Sequence, residues 1–267
     1  MSLSVNNSSP INTREYLCLD WPLLLTVTFF AATVQSATGF GFGLIAVSAF
    51  LVVLNSIAAV QLVIIITCVM LAVHSFRLWN VAVKSLLRSL SIGCALGFPL
   101  GILAYKQFDM TTIKLTVAIL LIALSSQNAW LLFRHRKSIK NIGHKPTQGS
   151  TLAVGIISGL MASSIAMPGP PVMLYLVNSN LTKDQVRATV QTFFLVSYVG
   201  ALLLQTTLVG IDIDIWITAA ILLPSALLGL NTGYYLSKRI NQQFFKGLVL
   251  VILMLTGLFM LVNLNFQ

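Results

Sequence analysis

The stretch Ser36-Ala37-Thr38-Gly39-Phe40-Gly41-Phe42-Gly43 lies inside a run, Trp21–Phe76, that contains no Lys, Arg, Asp or Glu. Glycine costs about 1 kcal/mol in a helix interior relative to alanine. Three of them within five residues make continuous helix unfavourable, so the run divides into arms at 21–38 and 44–54. A second overlong charge-free run, Pro146–Thr182, carries Met167-Pro168-Gly169-Pro170-Pro171 near its middle. Proline costs about 3 kcal/mol in a helix interior and removes a backbone donor. A break is therefore expected here too, between arms at 152–167 and 172–177.

The rest of the chain says what surrounds these breaks. Hydrophobic residues make up 57% of the sequence and charged residues 8%, with a mean hydropathy of +0.91. Such a chain belongs in lipid. Further charge-free runs at 89–105, 115–133, 188–211, 215–237 and 247–267 are each about the length of one bilayer crossing. Backbone that is not helical cannot face hydrocarbon, so both breaks have to be buried in protein or line an aqueous cavity. The first twenty residues are polar and lack the pattern of a cleavable signal peptide. Cys18, Cys68 and Cys94 form no CxxC pair and read as small buried hydrophobes.

The formal charge of +10 arises from residues in short loops. It encodes orientation and implies no nucleic-acid partner. No HExxH, GxSxG or GxxxxGK[ST] pattern is present, and no paired acids lie within a charge-free run. Nothing therefore nominates a catalytic residue, a metal ligand or a cofactor, and an enzyme is not expected.

The two halves resemble each other. At a shift of 130 residues Gly39 falls on Gly169, Ala58 on Ala188 and Gln61 on Gln191; at a shift of 132 Gly97, Gly101 and Lys114 fall on Gly229, Gly233 and Lys246. The expected organisation is a polar tail (1–20), a first membrane repeat (21–133), a basic cytoplasmic linker (134–149) and a second membrane repeat (150–267). If both broken elements crossed the membrane, the 16 basic residues would divide 9 to 7 between its sides. If both turn back, 13 of the 16 fall on the cytoplasmic side and both termini lie outside. The second arrangement is preferred. The fold class is thus all-α, a polytopic membrane protein of two inverted repeats, each with a broken, re-entrant element and three transmembrane helices.

With those residues in place, the sequence resembles the TauE/SafE family of membrane transporters, the sulfite exporter-like proteins. Gln35-Ser-Ala-Thr-Gly-Phe-Gly-Phe-Gly-Leu44 and Ala166-Met-Pro-Gly-Pro-Pro-Val172 carry the resemblance, which spans nearly the whole chain. The second break departs from the family's commoner glycine-rich form. The resemblance implies a secondary transporter or permease for sulfite, a sulfonate or a related sulfur-containing oxyanion, in the bacterial inner membrane. The alternative is a non-transporting scaffold or assembly subunit.

Half-helix N-termini at the breaks would suit an anion, because they present unpaired N–H groups and partial positive charge. The candidate substrate-binding residues are Gln35, Ser36, Thr38, Gly39, Gly41 and Gly43 at the first break and Ser163, Ser164, Pro168, Gly169 and Pro170 at the second. Gln61 and Gln191 join them as amides in the spans that follow. Each side chain has a second role open to it: the hydroxyls can cap freed backbone, and the two amides can bond between helices. Gly97/Gly101 and Gly229/Gly233 have the spacing of close helix packing. Arg187, at the start of the span after the second broken element, reads chiefly as an orienting charge, the alternative being that it meets an anion entering from the cytoplasmic side. The expected partners are the small anion and the lipid bilayer, with a second copy of the chain as a further candidate.

Overall fold

A computed structural model describes residues 21–75, 80–134, 146–177, 179–239 and, near the C-terminus, 251, 254–259 and 261–262. The polar tail, most of the basic linker, Cys18 and Lys246 lie outside these residues. The described residues form nine α-helices: α1 (Trp21–Thr38), α2 (Phe42–Val53), α3 (Ala58–Ser75), α4 (Lys84–Gln107), α5 (Met110–Arg134), α6 (Gln148–Ile165), α7 (Gly169–Val177), α8 (Lys183–Leu204) and α9 (Ile213–Arg239). A π turn, Gln205–Val209, closes α8. Residues 254–259 are also helical, and Gly257 there lies against Leu121 and Ile122 of α5.

The distribution of polarity is that of a membrane protein. Large apolar side chains face outward, among them Leu96, Leu100 and Leu103 on α4 and Ile217, Ile221 and Leu228 on α9. The interior holds Thr28, Gln35, Ser48, Gln61, Thr67, Gln191 and Gln205. Lipid puts no penalty on an apolar exterior, whereas buried polar groups need partners within the protein. Four stretches have the length and composition to cross a membrane: Lys84–Gln107, Gln148–Ile165, Asp184–Val209 and Ile213–Leu236.

Both expected interruptions are present. Gly39 and Gly41 take φ of 91° and 118° between α1 and α2, a region that a side chain makes costly. Between α6 and α7 only residues 166–168 are non-helical, with Ala166 left-handed at φ 55°. Gly169, Pro170 and Pro171 belong to α7 itself, although the proline run reads in the sequence as the interruption. They fit because the first turn of a helix has no use for the N–H that proline lacks. α7 then doubles back along α6: the Tyr175 hydroxyl lies 2.7 Å from Ser150 Oγ and 2.9 Å from Thr151 Oγ1, in the first turn of α6.

The halves pack crosswise. α4 lies along α6 and α1 along α9, while α3 meets both α8 and α9 and α8 meets both α3 and α4. Each pairing has a counterpart with the halves exchanged. Glycines permit both long contacts: a Cβ on Gly97 would strike the Ile156 carbonyl oxygen, and one on Gly229 the Phe29 carbonyl oxygen. Gly101 and Gly233 repeat this one turn further on, against Leu160 and Thr33. Backbone approach of this kind is what small residues allow in lipid, where no hydrophobic effect drives helices together. α3 and α8 run antiparallel. The Val83 N–H, beyond the end of α3, donates to Thr189 Oγ1 near the start of α8, and Gln61 Nε2, at the start of α3, donates to the Gly210 carbonyl beyond its end.

Gly97→Leu and Gly229→Leu are each expected to prevent assembly, since the added atoms meet backbone that cannot move aside and overpacking typically costs about 1–3 kcal/mol or more. Size-exclusion chromatography of fluorescently tagged variants in detergent checks this. A monodisperse peak at wild-type yield for either would refute the packing role.

Candidate functional site

α8 positions most of the site because it passes both breaks. Its start is fixed by a capping box: Thr182 Oγ1 accepts from the Gln185 N–H at 3.3 Å, and Gln185 Oε1 accepts from the Thr182 N–H at 3.1 Å. Arg187 follows one turn later and reaches the first break, where its Nη2 donates to the Ser36 carbonyl at 2.8 Å. A Cβ on Gly39 would sit 3.4 Å from Arg187 Cγ and 3.8 Å from Gln191 Nε2. Two polar α8 side chains thus lie in ordinary contact range over the end of α1, and it is the positive φ of Gly39 that calls for glycine.

The breaks touch. A Cβ on Gly43 would come within 2.6 Å of the Ala166 carbonyl oxygen and 2.8 Å of the Tyr198 hydroxyl. Tyr198, from the middle of α8, donates to that same carbonyl at 2.7 Å. Further along, Gln205 Nε2 donates to the Ser163 carbonyl at 3.0 Å and Gln205 Oε1 accepts from Gln61 Nε2 at 3.1 Å. Gln205 is fully buried. The loose geometry of the π turn brings its side chain to the second break and leaves the Gly210 carbonyl within reach of Gln61.

The candidate hydroxyls all hold bonds to backbone carbonyls, some in their own helix and some across to another. Ser36 Oγ donates to the Leu230 carbonyl on α9 at 2.7 Å, and Thr38 Oγ1 to the Val34 and Phe40 carbonyls at 2.8 and 2.5 Å. Ser163 Oγ donates to the Phe98 carbonyl on α4 at 3.1 Å and Ser164 Oγ to the Leu160 carbonyl at 2.7 Å. In this geometry they satisfy freed backbone and join helices. The amides differ. Gln35 Oε1 accepts from the Phe42 N–H at 3.1 Å, yet its Nε2 has no partner among the described residues, nor has Oε1 of Gln191. Gln61 and Gln191 lie apart, one beside Gln205 and the other beside Gly39. Gly41 would bring a Cβ to 3.2 Å from Val34, and Gly169 one to 3.0 Å from the Phe194 ring. Pro168 and Pro170 line the second break without a donor to offer.

Sequence reasoning passed over four residues here. Gln205, Tyr198 and Tyr175 sit in apolar runs, and only the glutamine carried a signal, since its amide is as costly in lipid as that of Gln61. Lys114, counted among loop charges, is 5% exposed. Its Nζ donates to Asn55 Oδ1 at 2.6 Å, at a residue with φ 42° between α2 and α3. No group of three or more His, Cys, Asp or Glu side chains able to hold a metal occurs among the described residues.

An apolar exterior, an apolar core that encloses a set of polar side chains, and two interrupted helices meeting inside define the class as an integral membrane protein. Residues 24–260 match the family described as sulfite exporter TauE/SafE, and the chain belongs to that family. No curated protein and no solved structure matches it.

Gln205→Leu is expected to leave the Ser163 carbonyl and one of the two Gln61 amide N–H groups without their Gln205 partner in the interior, lowering stability by about 2–4 kcal/mol for two buried groups. Thermal melts of purified protein in detergent check this. Gln61→Leu combined with Gln205→Leu should cost less than the two single changes together, and strict additivity would show that the amides are not coupled.

Proposed function

We propose that the protein is a secondary transporter that carries a small sulfur-containing oxyanion, sulfite or a short sulfonate, across the bacterial inner membrane. The single observation that carries this is the meeting of two interrupted helices at Gly43 and Ala166. An interruption inside lipid needs compensating partners, and two of them packed together are not required of a scaffold. Family membership supports the substrate class. Of the candidate residues, Gln35, Gly39, Gly41 and Gly43 belong to the first break, Gly169 opens α7 at the second, Gln191 lies beside Gly39 and Gln61 beside Gln205, with neutral amides and backbone as the prevailing chemistry.

The proposed architecture is an inverted repeat of six crossings with two re-entrant hairpins and both termini on the periplasmic side. The antiparallel course of α3 and α8 supports it, because eight crossings would make those helices parallel. The return of Tyr175 to Ser150 supports it for the second hairpin. The charge count, 13 of 16 basic residues on one side, sets the orientation.

Proteoliposomes containing only the purified protein are expected to take up 35S-sulfite down its gradient. Gly41→Leu is expected to abolish that uptake while the protein still inserts. Absence of flux in the wild type would refute the transport reading. For orientation, a C-terminal alkaline phosphatase fusion should be active and a C-terminal green fluorescent fusion dark; the reverse pattern would overturn the six-crossing arrangement.

A further inference from the structure

The two breaks are alike in position and different in what they offer an anion. At the second, prolines at 168, 170 and 171 remove N–H groups from the approach to α7 and from its first turn. The carbonyls of Ser163 and Ala166 are already held by Gln205 and Tyr198. At the first break α2 begins without proline, and no side chain caps it through Gly41.

Gln35 is the decisive residue there. It is 3% exposed, and its Oε1 accepts from the Phe42 N–H, the first donor of α2. That bond fixes which way the amide is turned, because an N–H has to meet the oxygen. Nε2 is thereby held beside the start of α2 with no partner among the described residues. A buried amide donor left unsatisfied is destabilising, and an occupying oxyanion would remove that cost. Gln191, 1% exposed with its own Oε1 unpartnered, lies beside Gly39. Arg187 covers the same glycine and spends one N–H on the Ser36 carbonyl. It forms no ion pair among the described residues, and a guanidinium has five N–H donors.

We infer that the anion subsite lies at the first break alone, with the Arg187 guanidinium and the Gln35 amide as its donors. This rests on the transport reading above and replaces a symmetric site between two helix ends with a one-sided one. Arg187 is then the charge that selects an anion, in addition to any part it plays in orienting α8. The second break serves as the wall against which the first is held.

Initial rates of 35S-sulfite uptake in proteoliposomes test this, with variants chosen to separate binding from folding and orientation. Gln35→Glu keeps an acceptor for the Phe42 N–H and replaces the free donor with a repelling oxygen. Arg187→Gln removes the charge, and Arg187→Lys keeps the charge while losing the fork. Orientation in the vesicles is scored by protease access. KM for sulfite is expected to rise roughly ten- to a hundredfold in Gln35→Glu and Arg187→Gln, the range for losing one charge-assisted hydrogen bond, and less in Arg187→Lys. Wild-type flux with an unmoved KM in Gln35→Glu or in correctly oriented Arg187→Gln would overturn the subsite and leave the transport reading intact. If Arg187→Gln does not insert correctly, Gln35→Glu and Arg187→Lys decide. Absence of wild-type flux would overturn both.

Discussion

Backbone N–H and C=O groups released where a helix stops have no water to turn to inside a bilayer, and everything else in this protein is arranged around that fact. Each interruption is met by groups from elsewhere in the fold. The Phe42 N–H goes to Gln35, the Ala166 carbonyl to Tyr198 and the Ser163 carbonyl to Gln205. Two of these three partners come from α8 or the turn that closes it, so the placement of one helix controls the chemistry of both breaks. The capping box at Thr182 and Gln185 sets where that helix begins, and with it the depth of every side chain it delivers.

Close packing supplies the rigidity that such a site needs. Cys94 Sγ lies 3.3 Å from Ser197 Oγ where α4 passes α8, and Cys94 is buried as a small side chain should be. The glycine contacts of α4 with α6 and of α1 with α9 leave no room for a methyl group. Because van der Waals contact and a few interhelical hydrogen bonds are what hold membrane helices together, the close approach has to be specific. The bonds from Thr33 to the Gly229 carbonyl and from Ser225 to the Leu25 carbonyl register α1 against α9.

Much of this was legible in the sequence where the backbone itself imposes the cost. Glycine and proline announce interruptions whatever their surroundings, so both breaks could be located within a few residues. The paired glycines announced close packing for the same reason. What remained hidden depends on reach across the fold. Arg187 at the start of a span looks like any orienting charge until the side chain is followed to Ser36. The tyrosine hydroxyls at 175 and 198 look like ordinary aromatic residues until the helices facing them are known. Pro170 and Pro171 misled in the opposite sense, since the rule that prolines break helices does not apply in a first turn.

The crosswise pairing has a consequence for how the chain is made. α1 leaves the ribosome among the first elements, yet the helix that covers its glycine-facing side, α9, begins at Ile213. At about 5–20 residues per second, the intervening chain takes on the order of 10–40 s to emerge. Throughout that interval the Ser36 and Thr33 hydroxyls lack their partners on α9, and until α8 has emerged the glycine interruption also lacks Arg187 across it. The nascent first half is thus a species that needs sheltering, by the insertion machinery or by a provisional fold of its own, until the second half arrives to complete it.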